Sequence, residues 1–374
     1  GLFMSNTLFR QVEAELNQTY FERREEIRGL LVALLAKQHI LLLGAPGTSK
    51  SAMTEDLCRR IGGRYFKKLV TRTTTPEELF GPVSLKALEN DSYRRVTTGK
   101  LPEAEIAFID EIWKCNSAVL NGMLGILNER EFENDGQVMK CPLQFCVGAS
   151  NELPEDREEL GALWDRFLLR YVVRYIRDPR NFEAMLQGGT LSAPTKIPAD
   201  TLQQAQAEVQ TVDVSKIIPQ FTVIRQKMVE LNIPVSDRRW KQALSLIKAH
   251  AWLEGRKQAS DDDLEILAHA LWQDPSQIPQ VKQEIMALAN PLDKEALELY
   301  DQAAEVYQGV IAAPEDKKSS ACMEANTKLK KIARKLDELA RTARDSGKND
   351  SRIMDALAKV AAWNKEVVEN YLLV

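Results

Sequence analysis

The stretch Gly44-Ala45-Pro46-Gly47-Thr48-Ser49-Lys50-Ser51 carries the residue types that hold a nucleotide's phosphates. Glycines let backbone N–H groups curl around phosphate oxygens, Lys50 neutralises the β and γ oxygens, and the Ser51 hydroxyl is a ligand for Mg²⁺. The general pattern has glycine directly before the lysine, where this chain has Ser49. Ala52 completes the expected contact set. Downstream, Ile106-Ala107-Phe108-Ile109-Asp110-Glu111 is an apolar run ending in two carboxylates. Phosphoryl transfer to water needs an acidic group on the metal, assigned to Asp110, and a base to polarise the water, assigned to Glu111. Alone, such a pair would be a solvated strand end; after a phosphate loop it reads as the other half of a site.

The flanking sequence supplies elements to position these groups. Ile40 to Leu43 reads as a buried strand and AMTEDLCRRIG as the helix after the loop, which makes half of a βαβ unit. Ile106 to Ile109 and Leu143 to Ala149 read as two more strands, the second followed by Ser150-Asn151, so polar residues gather at the ends of parallel strands. Upstream, Phe9, Val12, Leu16 and Tyr20, then Ile27, Leu30, Leu31, Leu34 and Leu35, fall at helical spacing. CPLQFC, from Cys141 to Cys146, looks like strand sequence with buried thiols. Gly81 to Leu85 and Tyr93 to Thr98 suggest a hairpin insertion.

Residues 188 to 200, rich in Gly, Pro, Ser and Thr, read as a linker into a helical domain. Helices are expected from the N-cap Ser236 and again from Ser260. Three further apolar seams describe an antiparallel three-helix bundle. They are Leu299, Ala303, Val306 and Val310; Leu329, Ile332, Leu336, Leu339 and Ala343; and Ile353, Leu357, Val360, Val367 and Tyr371. The expected division is an α/β core over 1–187, an all-helical lid over 200–290 and a helical bundle over 291–374.

Composition narrows the function classes. At 374 residues with 44% hydrophobic and 28% charged residues, the chain is an ordinary folded protein of two or three domains. Its net charge of −4 gives no global attraction for nucleic acid, and the eleven basic against seven acidic residues between Glu315 and Arg352 read as a solvated helix face. Five cysteines without a C-x-x-C pair and three scattered histidines support neither a disulfide framework nor a zinc site, which points to a cytoplasmic protein. No apolar run approaches the roughly 18 residues of a membrane helix, and GLFMSNTLFR lacks a secretion signal's apolar core.

Several stretches together resemble the MoxR branch of AAA+ ATPases, and within it the RavA group. These are Thr75 to Pro82 (TPEELFGP), Gly99 to Glu105 (GKLPEAE), Leu127 to Arg130 (LNER), Ala149 to Pro154 (ASNELP), Asp165 to Phe167 (DRF) and Val235 to Trp240 (VSDRRW). That branch's loop, G-x-P-G-x-A-K-S/T, already has a small non-glycine residue where Ser49 stands. The resemblance implies an AAA+ P-loop parallel-sheet core with a helical lid, ATP and Mg²⁺ as cofactors, and a homo-hexameric ring that remodels protein substrates beside a von Willebrand factor A domain partner. It assigns Asn151 as the sensor orienting the attacking water, Arg166 as the finger given to a neighbour's γ-phosphate with Arg170 as rival, and Arg238 as the lid's sensor arginine with Arg239 competing. It also puts Tyr20 and Phe21 near the adenine and the 81–98 insertion toward the ring pore. The β-rich insertion by which long RavA proteins engage a decarboxylase is missing. A nucleic-acid motor is the rival enzyme, disfavoured by charge; a nucleotide-gated scaffold is the rival non-enzyme, disfavoured by Glu111.

Overall fold

A computed structural model describes residues 6–189 and 193–372, so part of the expected linker and the extreme termini fall outside it, as does the side chain of Tyr371. Two compact units divide between Ile278 and Pro279.

The first unit is built on a five-stranded, wholly parallel sheet. Its strands are β1 (His39–Leu43), β2 (Tyr65–Leu69), β3 (Ile106–Asp110), β6 (Phe145–Ser150) and β7 (Phe167–Val172), in the order β2-β3-β6-β1-β7. A hairpin of β4 (Glu131–Asn134) and β5 (Gln137–Lys140) stands apart. β1 and β6 are buried along their whole length, which is why they read as apolar runs rather than alternating ones. Register sets Asp110 opposite Ala149 and Leu43 opposite Ser150 and Val172. The residues following β1, β3 and β6 therefore emerge along one edge of the sheet.

Helices α1 (Asn6–Thr19) and α2 (Arg24–Ala36) precede β1, and α3 (Lys50–Ile61) follows it. Between β2 and β3 lie the short α4 (Pro76–Phe80) and α5 (Leu85–Leu88); then come α6 (Ser117–Glu129), α7 (Arg157–Arg166) and α8 (Pro179–Gln187). α4 is fixed by a capping box in which Thr75 and Glu78 satisfy each other's backbone N–H. Next come α9 (Ala199–Gln210), α10 (Ile218–Glu230) and α11 (Asp237–Leu253), the last started by the Ser236 side chain accepting from the Arg239 N–H. α11 packs on α2, and Arg28 of α2 ties Glu13 of α1 to Glu254 at 2.6 and 2.5 Å.

Three sequence expectations need correction. Only Phe145 and Cys146 of CPLQFC join a strand. Pro142 has no N–H to donate, and Arg130 draws the Leu143 and Gln144 carbonyls out of any ladder. The helix expected from Ser260 is a run of 3₁₀ turns over Asp261–His269, whose buried Asp263 carboxylate is turned inward to His250 and Arg256. The insertion at 81–98 is a single antiparallel bridge, Val83 to Arg95, enclosing α5 rather than a plain hairpin. β4–β5, which the pattern did not reveal, grips it: Asn134 Oδ1 accepts from the Arg95 N–H at 2.8 Å and Asp135 Oδ2 from the Ser92 hydroxyl at 2.6 Å.

The second unit comprises α12 (Ile278–Ala289), α13 (Pro291–Ala312), α14 (Lys318–Asp345) and α15 (Ser351–Val367). The three seams read from the sequence interdigitate: Leu299, Ala303 and Val310 meet Leu329, Ile332 and Leu336, and Ile353, Val360 and Val367 close the core. Trp363 stacks between Tyr300 and Tyr307, each ring centre 5.2 Å away.

Candidate active site

The loop after β1 is fixed at its base by backbone contacts and turned by left-handed residues. Gly44 donates to the Ser150 carbonyl at 2.9 Å, and a Cβ at this position would lie 2.2 Å from the Val173 carbonyl oxygen, so only glycine fits between the strands. Gly47 and Ser49 both take positive φ, 79° and 68°, and nothing lies within 4 Å of where a Gly47 Cβ would be. Lys50 opens α3, and its ammonium donates to the Gly44 and Ala45 carbonyls, the latter at 3.1 Å. Burial pulls the Lys50 pKa down, while the charges of Asp110 and Glu111 pull it up, so the three groups share one field. Ser51 follows, half-buried in the first turn of α3.

Asp110 ends β3 and accepts the Glu111 N–H on Oδ1 at 2.9 Å. Glu111 sits at φ 52°, an uncommon conformation for a residue with a Cβ, and its carboxylate lies 3.7 Å from Lys114. Asn151 emerges, exposed, from the neighbouring β6. Trp113, just past Glu111, donates to the Glu152 carbonyl at 2.9 Å and so ties the loops after β3 and β6 together. These residues fit ATP and Mg²⁺. A glycine-bearing loop at the start of α3 with Lys50 suits phosphate, while Ser51 and Asp110 offer the few hard oxygens a magnesium ion takes when the nucleotide supplies others. Among the described residues no cluster of three metal-ligating side chains occurs.

The Tyr20 hydroxyl reaches the Ala52 carbonyl at 3.2 Å and Asp56 at 3.0 Å, and burial followed by the Asp56 charge pushes its pKa up. Tyr20 and Phe21, both half-buried, thus stand beside the start of α3 and the loop. Two neighbours were missed in the sequence. Arg23, buried, donates Nε to the Thr48 carbonyl at 3.1 Å and braces the loop from behind. Glu22 accepts the backbone N–H groups of Arg177 and Asp178, each at 3.1 Å. Burial works to raise its pKa, but these bonds and one from Asn181 hold it below the ordinary carboxylate value. Nothing in the spacing of Glu22 and Arg23 signalled these contacts, because both act on backbone atoms.

The arginines divide cleanly. Arg170 is fully buried, bonded to the Trp272 and Trp164 carbonyls with its guanidinium 4.1 Å from the Trp164 ring centre, so it is no rival finger. Arg239 is 2% exposed and donates to the carbonyls of Ala270, Phe167 and Leu168 at 2.6, 3.0 and 2.8 Å, with Asp165 at 3.5 Å. Burial lowers its pKa to about 10 although Asp165 opposes this. It is a latch between lid and β7, which leaves the exposed Arg238 as the sensor candidate. Arg166 ends α7 directly before β7, hence at the sheet edge opposite the phosphate loop. Its Nε is buried without a hydrogen-bond partner among the described residues. Burial and then the repulsion of Arg238 lower its pKa, so these two cations stand close. Asp165 turns to Arg239 rather than holding Arg166 in a salt bridge.

A family model for the MoxR domain in MoxR-vWA-beta-propeller ternary systems matches residues 7–215, and one for an AAA lid domain matches residues 216–285. The chain belongs to the MoxR family of AAA+ ATPases. An uncharacterized protein of Methanocaldococcus jannaschii is 36% identical to this MoxR-family chain over 368 residues, covering 96% of it and 98% of the relative. The Chaperone MoxR1 of Mycobacterium tuberculosis is 28% identical over 154 residues, 40% of each protein. Among solved structures, a protein from Cytophaga hutchinsonii described as a candidate ATPase superposes with a TM-score of 0.61 at 16% identity, over 76% of this chain and 95% of that one, a likeness of fold. No helix among the described residues is long and apolar enough to cross a membrane.

Proposed function

We propose that this MoxR-family protein hydrolyses Mg-ATP in a head-to-tail ring, of the hexameric kind its family resemblance implies, and uses the cycle to remodel a partner protein. Gly44 to Ala52 hold the nucleotide, with Tyr20 and Phe21 at its base; Ser51 and Asp110 hold the magnesium ion; Glu111 draws a proton from water that Asn151 orients. The carrying observation is the position of Arg166, across the sheet from its own loop. A β-strand of six residues spans about 20 Å, too far for an arginine side chain to return. Arg166, with Arg238 beside it, therefore serves the phosphates of a second copy, where paired guanidinium groups would spread positive charge over transition-state oxygens. The matched family description pairs its MoxR domain with a vWA protein, so a von Willebrand factor A domain protein is the proposed partner, met in the cytoplasm, and the terminal bundle is proposed as a separate interaction element. The RavA-like stretches favour that subgroup within the family.

Mixing tests the shared site. Lys50→Ala and Arg166→Ala proteins are each expected to be inactive alone, while co-assembly joins an intact loop to an intact finger at about a quarter of interfaces. Recovered ATPase activity in the mixture supports the reading. Wild-type specific activity that stays constant on dilution to a verified monomer overturns it.

A further inference from the structure

α8 is a helix of the first unit whose apolar side chains belong to no core. None of its nine residues is buried, yet Phe182, Met185 and Leu186 fall at i, i+3 and i+4 and are 47%, 43% and 66% exposed. Such a stripe on a helix of this length is held in place by something other than its own burial. Here the hold is polar and comes from the nucleotide site. Glu22 caps the approach to α8 through the Arg177 and Asp178 N–H groups and accepts from Asn181 Nδ2 at 3.1 Å. The next residue, Arg23, grips the Thr48 carbonyl of the phosphate loop, and the Tyr175 hydroxyl donates to the Pro46 carbonyl of the same loop at 3.3 Å. The uncovered stripe is thus strapped to the loop from two sides.

We propose that the Phe182, Met185 and Leu186 face of α8 is the surface on which a second copy of this chain packs when its Arg166 enters the phosphate loop. The inference rests on the shared-site reading above. A second copy is the occupant because the body carrying Arg166 must approach the very loop to which α8 is strapped, and because the charges match. Arg174 and Arg177, just ahead of α8, and Arg180 in its first turn are exposed, while α7, which ends in Arg166, is capped by Asp156 and begins with Glu158 and Glu159, all exposed. An apolar centre with a charged rim is the usual anatomy of a protein interface. Because the straps reach the loop, nucleotide in the loop would steady the stripe, and assembly would respond to ATP.

The test compares the full-length parent with Phe182→Asp/Leu186→Asp, using a non-hydrolysable ATP analogue with Mg²⁺ and sedimentation velocity across a range of protein concentrations. The expected result is a variant that melts like the parent and binds a fluorescent ATP analogue within about twofold, but assembles only at a concentration at least tenfold higher. If the aspartates lower the melting temperature, Phe182→Ala/Leu186→Ala, which keeps helix propensity, is read instead, and a shift in the same direction is expected. An unchanged assembly midpoint overturns the proposal while leaving the shared-site reading intact. Loss of nucleotide affinity without loss of assembly also overturns it, since α8 would then be a flap over the nucleotide. A parent that never assembles with the analogue overturns the shared site and this surface together.

Discussion

The two edges of the parallel sheet are built on opposite rules. At the edge where β1, β3 and β6 end, Ser49 and Glu111 hold left-handed conformations at φ 68° and 52°, Lys50 folds back on backbone carbonyls, and Asn151 projects into solvent. At the edge where the strands begin, polar groups are paired off. His39 accepts the Cys146 N–H on Nδ1 at 2.9 Å and bonds the Leu127 carbonyl through Nε2 at 2.8 Å. Arg130 donates to the carbonyls of Leu127, Lys37, Leu143 and Gln144, and Arg239 to three more. Left-handed backbone occurs on both sides, but Lys37 and Arg130, at 54° and 55° on the starting side, close α2 and α6, where such a cap is ordinary, whereas Ser49 and Glu111 precede helices beside the phosphate loop. On the starting side Arg166 has a buried Nε without a partner among the described residues, as Asn128 has an Oδ1, and Arg238 is exposed; the two arginines are the cations proposed above for another molecule's ligand.

The contrast can be broken at several points. The largest effect is expected at the strained edge: Glu111→Gln should bind ATP as the parent does yet hydrolyse it about 10²–10⁴-fold more slowly, measured as single-turnover phosphate release. Equal rates would remove Glu111 from the chemistry. Next comes a matched pair on the other edge. Arg239→Ala strands several buried carbonyls and should cost about 3 kcal/mol or more, seen as a lower denaturation midpoint, whereas Arg238→Ala should leave the midpoint alone and cut ATPase activity about 100-fold. The reverse pattern would exchange latch and sensor.

A smaller effect concerns His39, whose burial, with the Arg130 charge next, lowers its pKa to about 3. Unfolded, the ring takes a proton below pH ~6.5, so between those values the unfolded state binds more protons and stability falls as pH falls, by about 1.4 kcal/mol per unit. At pH 5 that amounts to about 2 kcal/mol, and a His39→Gln variant, whatever its absolute stability, should lose that share of the slope between pH 7 and pH 5 in denaturant titrations. Identical slopes would mean the ring titrates in the folded state. Smallest is Ser49→Gly, which relieves a left-handed serine and should raise stability by up to about 1 kcal/mol with ATP affinity within about twofold.

How much of this was legible depended on whether position in sequence and position in space coincide. The loop, Asp110 and Glu111 could be read directly because each follows an apolar run that can only be a buried strand, and parallel strands must end together. The bundle seams were legible for the same reason, since Leu329, Ile332 and Leu336 repeat at a spacing that permits one geometry. Arg238 and Arg239 were not separable, because adjacent helical positions differ by about 100° of rotation and only packing reveals which faces inward. Arg23 and Glu22 were invisible because their work is done on the carbonyl of Thr48 and the N–H groups of Arg177 and Asp178, backbone atoms that any sequence would offer. The β4–β5 hairpin hid because its strands are four residues each and largely exposed, leaving no apolar alternation to find.

The stack of Tyr300, Trp363 and Tyr307 gives the second unit an optical signature of its own. Five of the chain's six tryptophans, Trp113, Trp164, Trp240, Trp252 and Trp272, lie before Ile278, and Trp363 alone lies after it. With a tyrosine ring 5.2 Å away on either face, its indole has rigid, chiral neighbours that couple to it electronically and vanish when the helices separate. A chain carrying phenylalanine at the other five positions would therefore report, through near-ultraviolet dichroism and emission from a single chromophore, when the bundle forms or comes apart, independently of whatever the nucleotide-binding unit is doing.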